Sequence, residues 1–384
     1  MAKLILTRYL YIFDEVGISF IICLLKKHSL DECYFWISEL YLSGFKDKVW
    51  DLIWFIYYDF YYIQNPLFES FLSKKYGSGE LKDIFTVVKN LFKFKFSPEI
   101  FITRQYNHLI TEITLVFRGK KPNWLSAIPL HYHALFRFID KKLYHFAVSS
   151  LPETIEDDLF DAIQIYFNIS LKQIDDFKKK FVENQTCYHN PVHKIWAIIC
   201  LLLFNPNYSN SKKIIYFGCK TEDYDTMLKI HQEPIPLNKY NSPQIYKTLD
   251  YKCIYSVSPL CSSFYLMRDG EENINHCYWY HWEYFAYESP LWKERFDKYD
   301  IFIDDEKKKI IFHDDDELED FYSQYGYYPD ELSSETQNKF LINHIPDDNN
   351  WNTLYAELFP DYKSIYHLDE QFYKTFNKDL KFTY

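Results

Sequence analysis

Through the first half of the chain, apolar residues recur every third or fourth position, the spacing that gathers them on one face of a helix. Cys33, Trp36, Ile37, Leu40 and Tyr41 form one such set. It is opened by the capping-box pattern Ser29-x-x-Glu32 and closed by Gly44, where a helix-ending glycine belongs. Val49, Leu52, Ile53, Ile56 and Phe60 form the next, interrupted by Asp51 and Asp59. Asn65-Pro66 and Ser97-Pro98 pair a capping side chain with a proline suited to a first helical turn. Between them, Leu81, Ile84, Phe85, Val88 and Phe92 repeat the helical period. Further helices are predicted over Pro129–Val148, Pro152–Asn168, Leu171–Val182 and Pro191–Phe204, the last capped by Asn190. Trp36, Ile37, Leu40, Leu52, Ile53 and Ile56 are the predicted core.

After residue 205 the texture changes. Lys212–Phe217 reads as a short strand, and prolines at 234, 236, 243 and 259 mark an irregular stretch. Ser289-Pro290 starts a helix. Ile301–Ile303 and Lys309–Phe312, flanking a charged turn, predict a hairpin. Asp314-x-x-Glu317 caps an acidic helix stopping near Gly326, and Trp351, Tyr355, Phe359, Tyr366 and Phe372 are expected to anchor the tail. The fold class is therefore mostly α. Residues 1–205 are expected to form an irregular helical array, and residues 206–384 an acidic, aromatic-rich, mainly helical region with a small β-hairpin.

Composition adds two constraints. Eight glycines in 384 residues is far below the usual ~7%, which disfavours folds built on glycine-rich phosphate loops. No P-loop, GxGxxG, GxSxG or HExxH pattern occurs. Six arginines against 37 lysines, with abundant Asn, Ile, Tyr and Phe, is the skew of an A/T-rich genome. The longest uncharged apolar runs, Val16–Leu25 and Ile195–Phe204, have ten residues where a membrane span needs about 20. With eight cysteines in no CxxC pair and no signal-peptide layout, a soluble protein of a reducing compartment is expected.

The net charge of −11 is unevenly spread. Residues 101–150 carry +5 and residues 251–384 carry −14. The basic island Arg118, Lys120, Lys121, Trp124, Arg137, Lys141 and Lys142 is the candidate surface for an anionic partner, an acidic protein or nucleic acid. The stretch most like a metal site is Cys187, His189 and His193 with His276, Cys277 and His281. Its spacing fits no zinc motif, and the expectation is no metal and no cofactor. His131 and His133 read as surface or interface histidines, because residues two apart face different ways on a helix. The run Asp314–Asp320 reads as a solvated cap at a helix N-terminus, lacking the alternation of a calcium loop.

Asp31–Phe45, and Trp279–Tyr287 continuing through Trp292–Tyr299 to Tyr325–Glu331, resemble an uncharacterised protein family of giant nucleocytoplasmic large DNA viruses. The resemblance implies a host-cytoplasmic setting, in a viral factory or the virion, and it implies no catalytic residues. The expected function is a non-catalytic helical scaffold or adaptor binding viral or host proteins during replication, gene expression or assembly. The alternatives are a metal-dependent enzyme acting on nucleic acid or protein, and a nucleic-acid binder using the basic island.

Overall fold

The computed structural model describes residues 4–105, 115–118, 121–208, 216–232, 247–264, 273–342, 357–359 and 380–383. The described chain is mostly helical, with a two-stranded antiparallel hairpin in its later part, the fold class that the periodicity predicts. It opens with α1 (Phe13–Lys26), α2 (Leu30–Leu42) and α3 (Lys46–Ile56), which runs directly into a π-helical turn, Tyr57–Tyr61. Next come α4 (Phe68–Tyr76), α5 (Leu81–Lys93), α6 (Glu99–Gln105) and the short strand β1 (Leu115–Arg118). They are followed by α7 (His133–Asp140), α8 (Tyr144–Ser149), α9 (Asp157–Phe167), α10 (Leu171–Glu183) and α11 (Pro191–Phe204). Shorter helices continue as α12 (Thr221–Ile230), α13 (Lys247–Lys252), α14 (Cys261–Phe264), α15 (Ile274–Tyr280), α16 (Trp282–Ala286) and α17 (Pro290–Phe296). The hairpin strands β2 (Ile301–Asp304) and β3 (Lys309–Phe312), then α18 (Asp315–Tyr325), α19 (Ser334–Phe340) and β4 (Leu380–Thr383), complete the order.

Capping chemistry explains where many helices begin. Ser29 accepts the Glu32 N–H at α2, Asn190 the His193 N–H at α11, Ser289 the Trp292 N–H at α17 and Asp314 the Glu317 N–H at α18. Gly44 follows α2 at φ +93°, and a Cβ there would stand 2.6 Å from the Pro290 Cβ. Only glycine fits that turn without strain.

Local pattern fails in several places. The helix expected over Pro129–Val148 is broken: a 3-10 turn, Leu130–Tyr132, precedes α7, and Lys142 at φ +59° separates α7 from α8. The helix expected from Pro152 starts at Asp157, and Asn65-Pro66 makes a turn before α4 rather than its cap. Of the six predicted core residues, Leu52 is half-buried and the other five are buried. Lys212–Ile215 and the tail residues Trp351, Tyr355, Tyr366 and Phe372 lie outside the described residues, while Phe359 is buried. β1 pairs in parallel with β4, Leu115 opposite Leu380.

The chain groups into two compact units that interleave along the sequence. Unit 1 comprises Met1–Leu52, Gly79–Phe92 and Tyr216–Tyr362; unit 2 comprises Ile53–Ser78, Lys93–Ile215 and Lys363–Tyr384. The change of texture near residue 205 has a boundary close by, at Ile215/Tyr216, while residues 1–52 and 79–92 group with the later part. In unit 1, α2 and α14 pack on α1, and α12 packs on α2. Tyr11 is its aromatic hub, ringed by Phe35, Trp36 and Phe340 and donating its hydroxyl to the Tyr255 carbonyl at 2.6 Å. In unit 2 the π-helical turn packs on α6 and α11, and α10 on α9 and α11.

Candidate functional site

The π-helical turn in unit 2 is buried at every position, and its consecutive residues Tyr58 and Asp59 serve one polar cluster. Such turns recur at functional sites. Arg104 of α6 clamps Asp59 through both carboxylate oxygens, Nε to Oδ1 at 3.1 Å and a terminal nitrogen to Oδ2 at 2.9 Å. His193 of α11 places Nε2 2.8 Å from Asp59 Oδ1, and its Nδ1 lies 2.7 Å from the Tyr188 hydroxyl. Burial opposes the Asp59 charge, but Arg104 and His193 outweigh it and hold the carboxyl below its ordinary range. Burial pushes the His193 imidazole down, Arg104 adds to that, and Asp59 only partly offsets them. The imidazole is therefore neutral, with Nε2–H toward Asp59 and Nδ1 accepting the Tyr188 O–H.

A second set adjoins it. Glu69 of α4 accepts from the Tyr58 hydroxyl at 2.7 Å and from Asn184 Nδ2 at 2.8 Å. Ser73 donates to the Asn184 side-chain oxygen, and Lys194 Nζ donates to the Asn184 carbonyl at 2.5 Å. Burial lowers the Lys194 amine to about 8, with Glu69 opposing. Tyr58, Tyr62, Glu69, Lys194 and Phe181 line a small cavity whose solvent-sized space, about 10 Å3, is room for one water.

Tyrosine, imidazole and carboxylate in series copy the order of nucleophile, base and orienting acid. The packing does not favour that use. Tyr188 is 7% exposed, with its ring stacked on Tyr58 and Trp54. The Arg104 guanidinium lies 4.5 Å from the centre of the Phe55 ring. The groups tie the π turn, α6 and α11 together, although among the described residues Glu69 Oε2 is buried without a hydrogen-bond partner.

Unit 1 holds a parallel arrangement of Arg8, His231 and Glu39. Arg8 reaches His231 Nδ1 at 2.8 Å, Glu39 Oε2 stands 3.6 Å from the same nitrogen, and Glu39 Oε1 accepts the Tyr9 N–H at 2.8 Å. Burial, then Arg8 and Lys252, holds the His231 imidazole well below its usual range. Each unit thus buries a neutral histidine beside an arginine and a carboxylate. Sequence reading missed both sets; the available signal was Asp59 interrupting an apolar helical face.

Of the sequence-derived metal candidates, Cys187, His189 and His193 belong to unit 2, and His276, Cys277 and His281 to unit 1. His189 is exposed, Cys187 is half-buried, and His193 turns Nδ1 to the Tyr188 hydroxyl and Nε2 to Asp59. The His276 and His281 rings stand 5.3 Å apart, with His281 Nδ1 3.0 Å from the Lys308 carbonyl. Among the described residues, none of these six belongs to a set of three donor atoms close enough to share an ion.

In the basic island, Arg118 ends β1 and only its backbone is described, while Lys120 lies outside the described residues. Trp124 meets the Tyr166 ring edge-on at 4.9 Å, which occupies it in packing against α9. Arg137 is half-buried in α7, Lys141 stands 3.9 Å from Asp140, and Lys121 and Lys142 are exposed. His131 is exposed 3.4 Å from Asp158, and His133 Nε2 meets the Ile128 carbonyl at 2.9 Å. In the acidic run, Asp314 caps α18, Asp320 accepts the Tyr299 hydroxyl at 2.7 Å and Glu317 faces the Asp300 N–H.

No family model, curated protein or solved structure matches the chain.

Proposed function

We propose that this chain is a non-catalytic helical scaffold or adaptor for other proteins. The observation that carries the reading is the outer face of the hairpin. Phe302 and Ile311 stand opposite each other across β2 and β3, 64% and 42% exposed, while Phe312 turns inward onto Phe296 and Phe321. An outward aromatic–aliphatic pair on a two-stranded sheet suits an interface anchor better than a solvated surface. The small cavity beside the Glu69 set supports the same reading, because its space of about 10 Å3 is room for one water rather than for a substrate. Exposed Lys121 and Lys142 supply a second, electrostatic contact for an anionic partner. The resemblance to giant-virus proteins supplies the setting, a viral factory in the host cytoplasm or the virion, and the stage, replication, gene expression or assembly.

The test is affinity capture with the full chain, comparing wild type, the double variant Phe302→Ser/Ile311→Ser and the charge reversal Lys121→Glu/Lys142→Glu. Specific partners should be lost from the hairpin variant while its thermal midpoint stays near wild type. Equal recovery of every partner by both variants would end the proposal. Loss confined to the charge reversal, with a log–log salt slope near the number of phosphates contacted, would make the ligand nucleic acid instead.

A further inference from the structure

Cys23 lies in the last turns of α1, and His28 and Glu32 lie across the tight corner that leads into α2. A Cys23 sulfur, a His28 ring nitrogen and a Glu32 carboxylate oxygen all stand within 4.8 Å of one another. His28 Nδ1 is 3.7 Å from Glu32 Oε2. Ligands held about 2.0–2.3 Å from one tetrahedral zinc stand roughly 3.3–3.8 Å apart, so side-chain adjustments alone would close the set around an ion.

The Cys23 thiol donates to the Ser29 carbonyl at 3.3 Å, a bond that an ion would replace, and two other neighbours suit the site. Trp36 donates its indole N–H to Glu32 Oε1 at 3.2 Å, which fixes the carboxylate and leaves Oε2 toward His28. Cys33 donates its thiol hydrogen to the Cys23 sulfur at 3.1 Å, the outer contact that favours a thiolate. Both lysines of the corner have partners, although Lys27 also acts electrostatically on Cys33. Lys26 pairs with Glu357 at 3.2 Å, and Lys27 donates to the Leu91 carbonyl at 3.1 Å. His28 is the exposed member and gives an ion its way in.

We propose that Cys23, His28 and Glu32 form a site for a borderline-soft divalent cation, zinc first, that clasps the α1–α2 corner. One thiolate, one imidazole and one carboxylate are a zinc donor set; magnesium and calcium take oxygen ligands instead. The Cys23 S–H gives up its proton as the metal–sulfur bond forms, so one proton leaves per ion bound. The fourth position is left to water, with Cys33 as the hydrogen-bonding neighbour of the bound sulfur. The proposal departs from the sequence expectation of no bound metal, which weighed a different set of cysteines and histidines. It is independent of the adaptor reading.

The test uses the purified full chain, with its thiols kept reduced, titrated with cobalt(II) as an optical stand-in and then with zinc(II). One cobalt per chain should bind, with a near-ultraviolet sulfur-to-metal charge-transfer band that zinc abolishes. The band should disappear in Cys23→Ala and His28→Ala, weaken in Glu32→Gln and persist in Cys33→Ala. Zinc should raise the thermal midpoint of wild type but not of His28→Ala. Because His28 is exposed, that variant keeps its fold even where Cys23→Ala does not. A reduced wild-type chain that gives no band overturns the proposal. So does a band that survives His28→Ala unchanged.

Discussion

Replacing Asp59 by Asn removes the one negative charge that Arg104 clamps on two oxygens and that His193 approaches at 2.8 Å. The guanidinium, 21% exposed, is then left without its carboxylate, so the loss should be at most the ~3–5 kcal/mol of breaking a fully buried pair. Chemical denaturation should show that loss for Asp59→Asn, and the double variant Asp59→Asn/Arg104→Met should recover part of it. Recovery is expected because the second change removes the stranded charge. The buried histidines set the response to acid. Burial lowers His145 to about 4, lowers His193, and with Arg8 and Lys252 holds His231 well below its usual range. An unfolded chain takes up these protons near pH 6.5 while the folded one refuses them. Stability is therefore complete above about pH 6.5 and falls as pH drops, with the His145 share lost progressively between about 6.5 and about 4. Asp59 adds to the fall at lower pH, because its folded carboxyl is also depressed. Thermal midpoints should decline from pH 7 to pH 5, and His145→Gln should flatten the decline. A midpoint constant across that range would contradict the neutral-histidine assignment.

At the scale of elements, the helix starts were legible because capping is local chemistry. Ser29, Asn190, Ser289 and Asp314 each accept an N–H three residues on, a relation contained within one turn. Asn190→Ala should lower stability by about 1 kcal/mol. It should also loosen His193, which donates the capped N–H and reaches Asp59 from the same turn. Gly44→Ala should cost more than the ~1 kcal/mol of an ordinary positive-φ position, because the new methyl also meets the Pro290 ring. A melt of that variant within a degree of wild type would contradict the geometry at this turn. What local pattern could not show is equally specific. The π turn after α3 keeps a helical rhythm in sequence, and its distinction lies in what packs around it. The break at Lys142 places a lysine in a left-handed conformation, a choice no composition rule announces. The β1–β4 pairing joins Leu115 to Leu380 across most of the chain, beyond any local window. The buried networks were hidden for the same reason: Asp59, Arg104 and His193 meet only through tertiary packing. The candidate metal corner is the opposite case. Cys23, His28 and Glu32 are close in sequence, but their spacing matches no familiar motif, and Cys23 reads as one more small apolar residue in α1.

For the whole molecule, the arrangement that matters most is the order in which the two units use the chain. Unit 1 needs Met1–Leu52 and also residues 216–362, so the Tyr11 hub waits for Tyr255 and Phe340, and Glu39 waits for His231. A fragment of residues 1–205 should accordingly melt without a sharp transition and bind a hydrophobic dye, whereas the full chain should do neither. A cooperative melt of that fragment would mean that α1 and α2 find other cover. On the ribosome the same order becomes a delay. At about 5–20 residues per second, roughly 8–33 s pass between the synthesis of residue 52 and that of residue 216. During that interval Tyr9, Tyr11, Phe35 and Trp36, all fully buried in the finished protein, belong to a half-built core. The nascent chain is thus expected to need cover for these side chains during synthesis, and extra chaperone supply should raise its yield without changing the stability of the final fold.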